Sequence, residues 1–196
     1  MSKRALPPKP DWDRLYETAA SQQGLFHVRQ AADAGFSPAL LAHHLDQRIT
    51  RPMRAVYRLV QYPAGEHEDL VALWLWTHRA AVFSHETALA LHELGDALPS
   101  VPTLTLPSTW RARRLRYPVE VVVEFDELPK SERTWIDSVP VTTPLRTISD
   151  CARHGSAPDL VHRAIADARA RGLITARDAE RVARELAPPA PRRKAR

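Results

Sequence analysis

Residues Asp11–Val60, DWDRLYETAASQQGLFHVRQAADAGFSPALLAHHLDQRITRPMRAVYRLV, decide the fold of this chain. Trp12, Leu15, Tyr16 and Ala19 recur at i, i+3, i+4 and i+7, which predicts a helix over about 12–23 with one apolar stripe, ended by Gly24. Val28 to Ala34 reads as a second short helix, with Val28, Ala31 and Ala32 inward and Gly35 as its stop. Ser37 is placed to cap a third helix, whose first turn accepts Pro38 because no N–H is needed there, and which continues to about Gln47. From Arg48 to Gln61 the residues Ile49, Val56, Tyr57, Leu59 and Val60 give a β-rich stretch broken around Pro52-Met53-Arg54-Ala55, the pattern of a hairpin. Three short helices and then a hairpin predict a winged helix-turn-helix over residues 11–62.

Such a module places its third helix in the DNA major groove and its hairpin on the backbone or minor groove. The link Ala34-Gly35-Phe36-Ser37 suits it: glycine permits the sharp turn, phenylalanine anchors it, and serine starts the next helix. Leu41 and Leu45 face inward as i, i+4 partners, which turns Ser37, Ala39, Ala42, His43 and Asp46 outward. Small residues there allow close approach, and His43 and Gln47 can hydrogen-bond base edges. Charge carries more weight. Arg48, Arg51, Arg54 and Arg58 fall in eleven residues without an acid, as phosphate neutralisation requires. The competing reading, protection of an edge strand, is disfavoured by the helices directly upstream. The expected DNA contacts are therefore Ser37, Ala39, His43, Gln47, Arg48, Arg51, Arg54 and Arg58.

Outward from this segment, the 196 residues leave room for one medium or two small domains, and 44% hydrophobic content supports a packed core. A net charge of +5 favours an anionic partner without selecting one. Cys151 is the only cysteine, which excludes an internal disulfide and multi-thiolate zinc sites, and its place on an apolar helix face makes it a packing residue. No stretch reaches membrane-span length, the longest candidate being Leu70–Trp76, and Met1–Pro10 lacks the apolar core of a signal sequence. The expected setting is the cytoplasm. Residues 1–10 read as a disordered leader, and 188–196, with Arg192, Arg193, Lys194 and Arg196, as a basic disordered tail. The pattern changes at Pro63-Ala64-Gly65, which puts a domain boundary there.

The second region, residues 66–187, reads as a small α/β domain with a mixed sheet and C-terminal helices, making the whole chain α+β. Helices are expected over 67–78, from a Ser84 cap to about Leu94, from Thr143-Pro144 onward, and over 158–171 and 176–186. Strands are expected at 81–83, 103–106, 119–125 and 139–142, the valine-rich 119–125 lying centrally. Glu120, Glu124 and Asp126 share one strand face, and such carboxylates can hold Mg²⁺ in a nuclease or nucleotidyltransferase. The strand lysine of the one and the Gly-Ser turn of the other are missing, so the acids read as a strand edge. His85-Glu86 and His92-Glu93 lack the H-E-x-x-H spacing and read as surface pairs. Arg146 and Asp150 stand at i, i+4 and predict a salt bridge. No catalytic residue, metal or cofactor is expected.

The motifs Ala34-Gly35-Phe36-Ser37, Val56-Tyr57-Arg58-Leu59, Phe83–His92 (FSHETALALH) and Val139–Asp150 (VPVTTPLRTISD) together resemble the AbiEi-type antitoxins, in the same order and over nearly the whole chain. The resemblance implies a winged helix that represses its own operon by binding operator DNA. It also implies a C-terminal region that neutralises a nucleotidyltransferase toxin, AbiEii, with Arg111, Arg113, Arg114 and Arg146 as partner-binding residues. The chain departs from the pattern at Arg48 and Pro52, and at Ala55, which stands where the family has the glycine of the wing turn. Alanine disfavours positive φ, so the turn is expected to take another form.

Overall fold

In the computed structural model, which describes residues 9–113 and 115–186, the Asp11 carboxylate accepts the Arg14 N–H at 3.0 Å and starts α1 (Trp12–Ala20). Next come β1 (Leu25–His27) and α2 (Val28–Asp33), where His27 and Gln30 form a reciprocal cap. Ser37 accepts the Leu40 N–H at 3.2 Å and opens α3 (Pro38–His43). Strands β2 (Ile49–Met53) and β3 (Val56–Leu59) follow, and an antiparallel sheet forms in the order β1-β3-β2. Leu15, Phe26, Ala31, Phe36, Leu41, Ile49 and Tyr57 form its core. Each large apolar side chain buried here contributes roughly 1.5–3 kcal/mol.

Three features differ from the sequence expectation. The third helix stops at His43 rather than Gln47, because Asp46 takes φ +62 and Leu45 already bridges to Ile49. Strand β1 was not expected at all; its three residues are buried and pair with β3. The division of the chain falls after Ala81, not at 63–65: one compact unit is residues 1–81 with 137–139, the other 82–136 with 140–196. The reason is α4 (Glu68–Trp76), whose residues Leu70–Leu75 are all buried and which packs on β1, β2 and β3. A helix apolar nearly all round cannot stand as the start of a separate surface.

The second unit opens with β4 (Val82–Phe83) and α5 (His85–Leu91), then β5 (Thr103–Leu106) and β6 (Val122–Phe125). Strands β7 (Arg133–Ile136) and β8 (Val139–Thr142) complete a sheet of order β6-β5-β4-β8-β7. It is mixed: β4 runs parallel to β8 and antiparallel to β5, which is parallel to β6. Helices α6 (Pro144–Arg153), α7 (Pro158–Ala170) and α8 (Ala176–Leu186) supply Ile148, Cys151, Val161, Ala164 and Val182 to a core shared with Leu89 and Leu94 of the α5 region. Gly95, at φ +69, lets that segment approach α7, since a Cβ would lie 2.8 Å from the Leu160 carbonyl.

Here too the expectation is corrected. The valine run lies at a sheet edge, with Val122 46% exposed, rather than centrally. Strand β7 was not expected. Ser84 makes no cap bond, because its hydroxyl is held by Thr105 and His85. The protein is thus α+β, with eight α-helices and two sheets among the described residues. None of these helices is long and apolar enough to cross a membrane. Residues 1–8 of the leader, Arg114 and the basic tail lie outside the described residues.

Candidate nucleic-acid interface

The turn between α2 and α3 is fixed from both sides. Gly35 adopts φ +86, Phe36 is 2% exposed, and the Asp11 N–H donates to the Ala34 carbonyl at 2.9 Å. Burying Leu41 and capping at Ser37 then turns Pro38, Ala39, Ala42 and His43 to solvent. This face is small and nearly neutral, and it carries no side chain able to grip a base edge with two hydrogen bonds. Gln47 is exposed in the turn beyond it.

The hairpin carries the charge. Arg48, Arg51 and Arg54 are exposed and form no ion pair among the described residues. Two of them lie against aromatic rings: the Arg48 guanidinium is 4.8 Å from the Trp12 ring centre, and that of Arg51 is 5.9 Å from Tyr57. Such stacking holds the arm in place without using the guanidinium's donors. The register shifts between Thr50 and Met53, and Ala55 closes the turn at φ +66. The turn therefore keeps the left-handed conformation of a glycine turn, contrary to the expectation of another form. A hydrogen bond of 2.8 Å from the Val28 N–H to the Ala55 carbonyl holds it there.

Arg58 is placed differently from its three neighbours. Its Nε donates to both oxygens of Glu68 at 2.9 and 3.0 Å, and its other donors reach the Leu59 and Tyr62 carbonyls. It ties β3 to α4 and has little left to offer a phosphate. Glu68 lies ten residues on, beyond any local pattern, so sequence alone did not reveal this pairing.

In the second unit Arg146 is also committed. Its guanidinium meets Asp150 at 2.8 Å, Glu132 at 2.5 Å and Asp126 at 2.5 Å, so the expected i, i+4 bridge is one arm of a four-residue hub. Hydrogen bonding to Arg146 holds the Asp126 carboxyl below the ordinary range. Arg111 and Arg113 are exposed, 5.4 Å from the Phe125 ring centre and 4.1 Å from that of Trp110. Of the acids considered for metal chemistry, Glu120 is exposed ahead of β6, Asp126 belongs to Arg146, and Glu124 stands half-buried in β6. Among the described residues no group of three or more His, Cys, Asp or Glu is arranged to hold a metal ion. His85 and His92 are buried, not surface groups: His92 Nε2 donates to the Thr142 carbonyl at 2.7 Å, and burial pushes the pKa values of both down.

No protein-family model matches the chain, and no curated protein sequence matches it either. Among solved structures, the RV2827C protein of Mycobacterium tuberculosis is similar, at TM-score 0.52 and 17% identity over 95% of this chain and 80% of that one. At that identity the likeness concerns the fold alone, and it extends over both units.

Proposed function

We propose that residues 11–62 form a winged helix-turn-helix and that the protein is a DNA-binding transcriptional regulator of the AbiEi antitoxin type. In this reading α2 and α3 are the helix-turn-helix pair, and β2 and β3 the wing. The observation that carries it is the trio Arg48, Arg51 and Arg54, exposed and unpaired by acids among the described residues, on a hairpin next to α3. Affinity comes from phosphate neutralisation at the hairpin, and α3 fits the groove by being small rather than by reading bases. The regulator works in the cytoplasm on the operator of its own operon. By the family resemblance it also neutralises an AbiEii-like nucleotidyltransferase, for which the exposed Arg111 and Arg113 are better placed than the sequestered Arg146.

The test is a titration of the protein's own promoter duplex at several salt concentrations. Arg51→Ala with Arg54→Ala is expected to weaken binding to all sequences and to lower the salt slope by about 2, near 0.9 for each phosphate no longer neutralised. An unchanged slope would remove the wing from the interface. Co-expression with a nucleotidyltransferase encoded beside it tests the antitoxin role, which fails if the toxin's growth arrest is not relieved. A DNA-targeted metallonuclease using Glu120, Glu124 and Asp126 is the weaker alternative, because Arg146 already occupies Asp126.

A further inference from the structure

An open cleft of about 420 Å³ in the second unit runs between the start of α5, the 99–103 segment, β6 and the end of α6. Its inner wall is His85, which is 8% exposed and held at φ +53, a backbone region that L-residues adopt only when their surroundings impose it. The hydrogen bonds around His85 fix its proton. Thr105 donates to the Ser84 hydroxyl at 2.9 Å, and His85 Nδ1 lies 2.9 Å from the same hydroxyl. Ser84 is fully buried, so its own proton is satisfied only by donation to Nδ1, which leaves the imidazole hydrogen on Nε2. That Nε2 is buried and has no hydrogen-bond partner among the described residues.

The other walls present the opposite polarity. His154 meets His85 edge-on with ring centres 4.8 Å apart. Its Nδ1 donates to the Asp150 carbonyl at 2.9 Å, which leaves the far nitrogen as an acceptor in the neutral ring. Glu86 and Glu124, both half-buried, line the same cleft and form no ion pair among the described residues. Among the described residues neither arginine nor lysine lines it, while Val101 and Val122 add apolar surface.

One orphaned donor among two carboxylates and an imidazole acceptor selects a specific ligand chemistry. The geometry points to a binding site for a small organic cation, an amine or guanidinium compound that also bears a carbonyl or hydroxyl oxygen. The oxygen accepts from His85 Nε2–H, and the cationic N–H groups donate to Glu124, Glu86 and His154. Phosphates and nucleotides are refused, because both charged walls repel them. Burial keeps His85 neutral near pH 7, so the donor does not itself repel the cation. The site stands independently of the DNA-binding reading.

L-argininamide is the probe, since it joins a guanidinium and an ammonium to an amide carbonyl. The full chain is titrated with it by calorimetry, and the imidazole ¹H–¹⁵N resonances are followed. Saturable binding is expected, with a shift of the His85 Nε2 signal. Glu124→Gln, at a half-exposed position, is expected to weaken affinity by at least about tenfold with an unchanged unfolding midpoint. His85→Asn is expected to weaken it as well. Absence of saturation by about 10 mM, equal affinity in Glu124→Gln, or equal binding of inorganic phosphate or AMP would each overturn the assignment.

Discussion

Ala55 turns the hairpin at φ +66, where a Cβ crowds the neighbouring carbonyl at a cost of roughly 1–2 kcal/mol. Ala55→Gly relieves that crowding and loses part of the gain to the freer unfolded chain, so a net stabilisation of about 1 kcal/mol is expected in urea unfolding. A lower midpoint would show that the turn is not strained. Three residues along, Arg58→Ala removes four hydrogen bonds, two of them to Glu68, and is expected to cost about 1–3 kcal/mol. Arg54→Ala, exposed and without an ion-pair partner among the described residues, is expected to stay within about 0.5 kcal/mol of the parent. Equal effects would mean that Arg58 is no anchor. Both positions stood in the same arginine run, and nothing local separated them. The distinction lies in Glu68, which reaches Arg58 only after the chain has turned through 61–67.

Element types were the most legible part of the sequence, because they follow from periodicity and caps. Ser37 and the helix-start prolines Pro38, Pro144 and Pro158 placed their helices at the right residues. What escaped were elements too short for a period to register, such as the three-residue β1, and elements defined by position in a sheet. Val119–Phe125 has the composition of a central strand, yet only its last four residues pair, and they do so at the edge. The candidate DNA face was legible in outline, since charge survives folding. The cleft at His85 was not, because its walls come from segments about 70 residues apart in sequence, from His85 to His154. At this scale Arg146 joins α6 to the chain beyond β6 and before β7. Arg146→Ala leaves the buried Asp150 with Arg153 as its one remaining ion-pair partner among the described residues, and a loss of roughly 3 kcal/mol is expected in denaturant unfolding. Arg153→Ala leaves Asp150 its Arg146 partner and is expected to cost far less; parity between the two would contradict the hub.

Across the whole molecule, His27, His85 and His92 are buried and spread over both units. Burial pushes all three pKa values down, His27 to about 4, with His78 adding to the effect. Each therefore takes up a proton on unfolding below its unfolded value, near 6.5. Stability is full above about pH 6.5 and falls as pH descends toward the folded values. Thermal midpoints measured between about pH 7.5 and pH 5 are expected to fall, and a flat profile would show these histidines to be solvated. Cys151 offers a separate handle on the same molecule. It is the single cysteine, it is fully buried, and burial pushes its thiol up to about 12. A disulfide reagent at neutral pH thus meets neither an accessible nor an ionised sulfur while the second unit stays closed. Its labelling rate becomes a clock for the opening of α6, readable in the unaltered chain, with one chemical event per molecule and no engineered reporter.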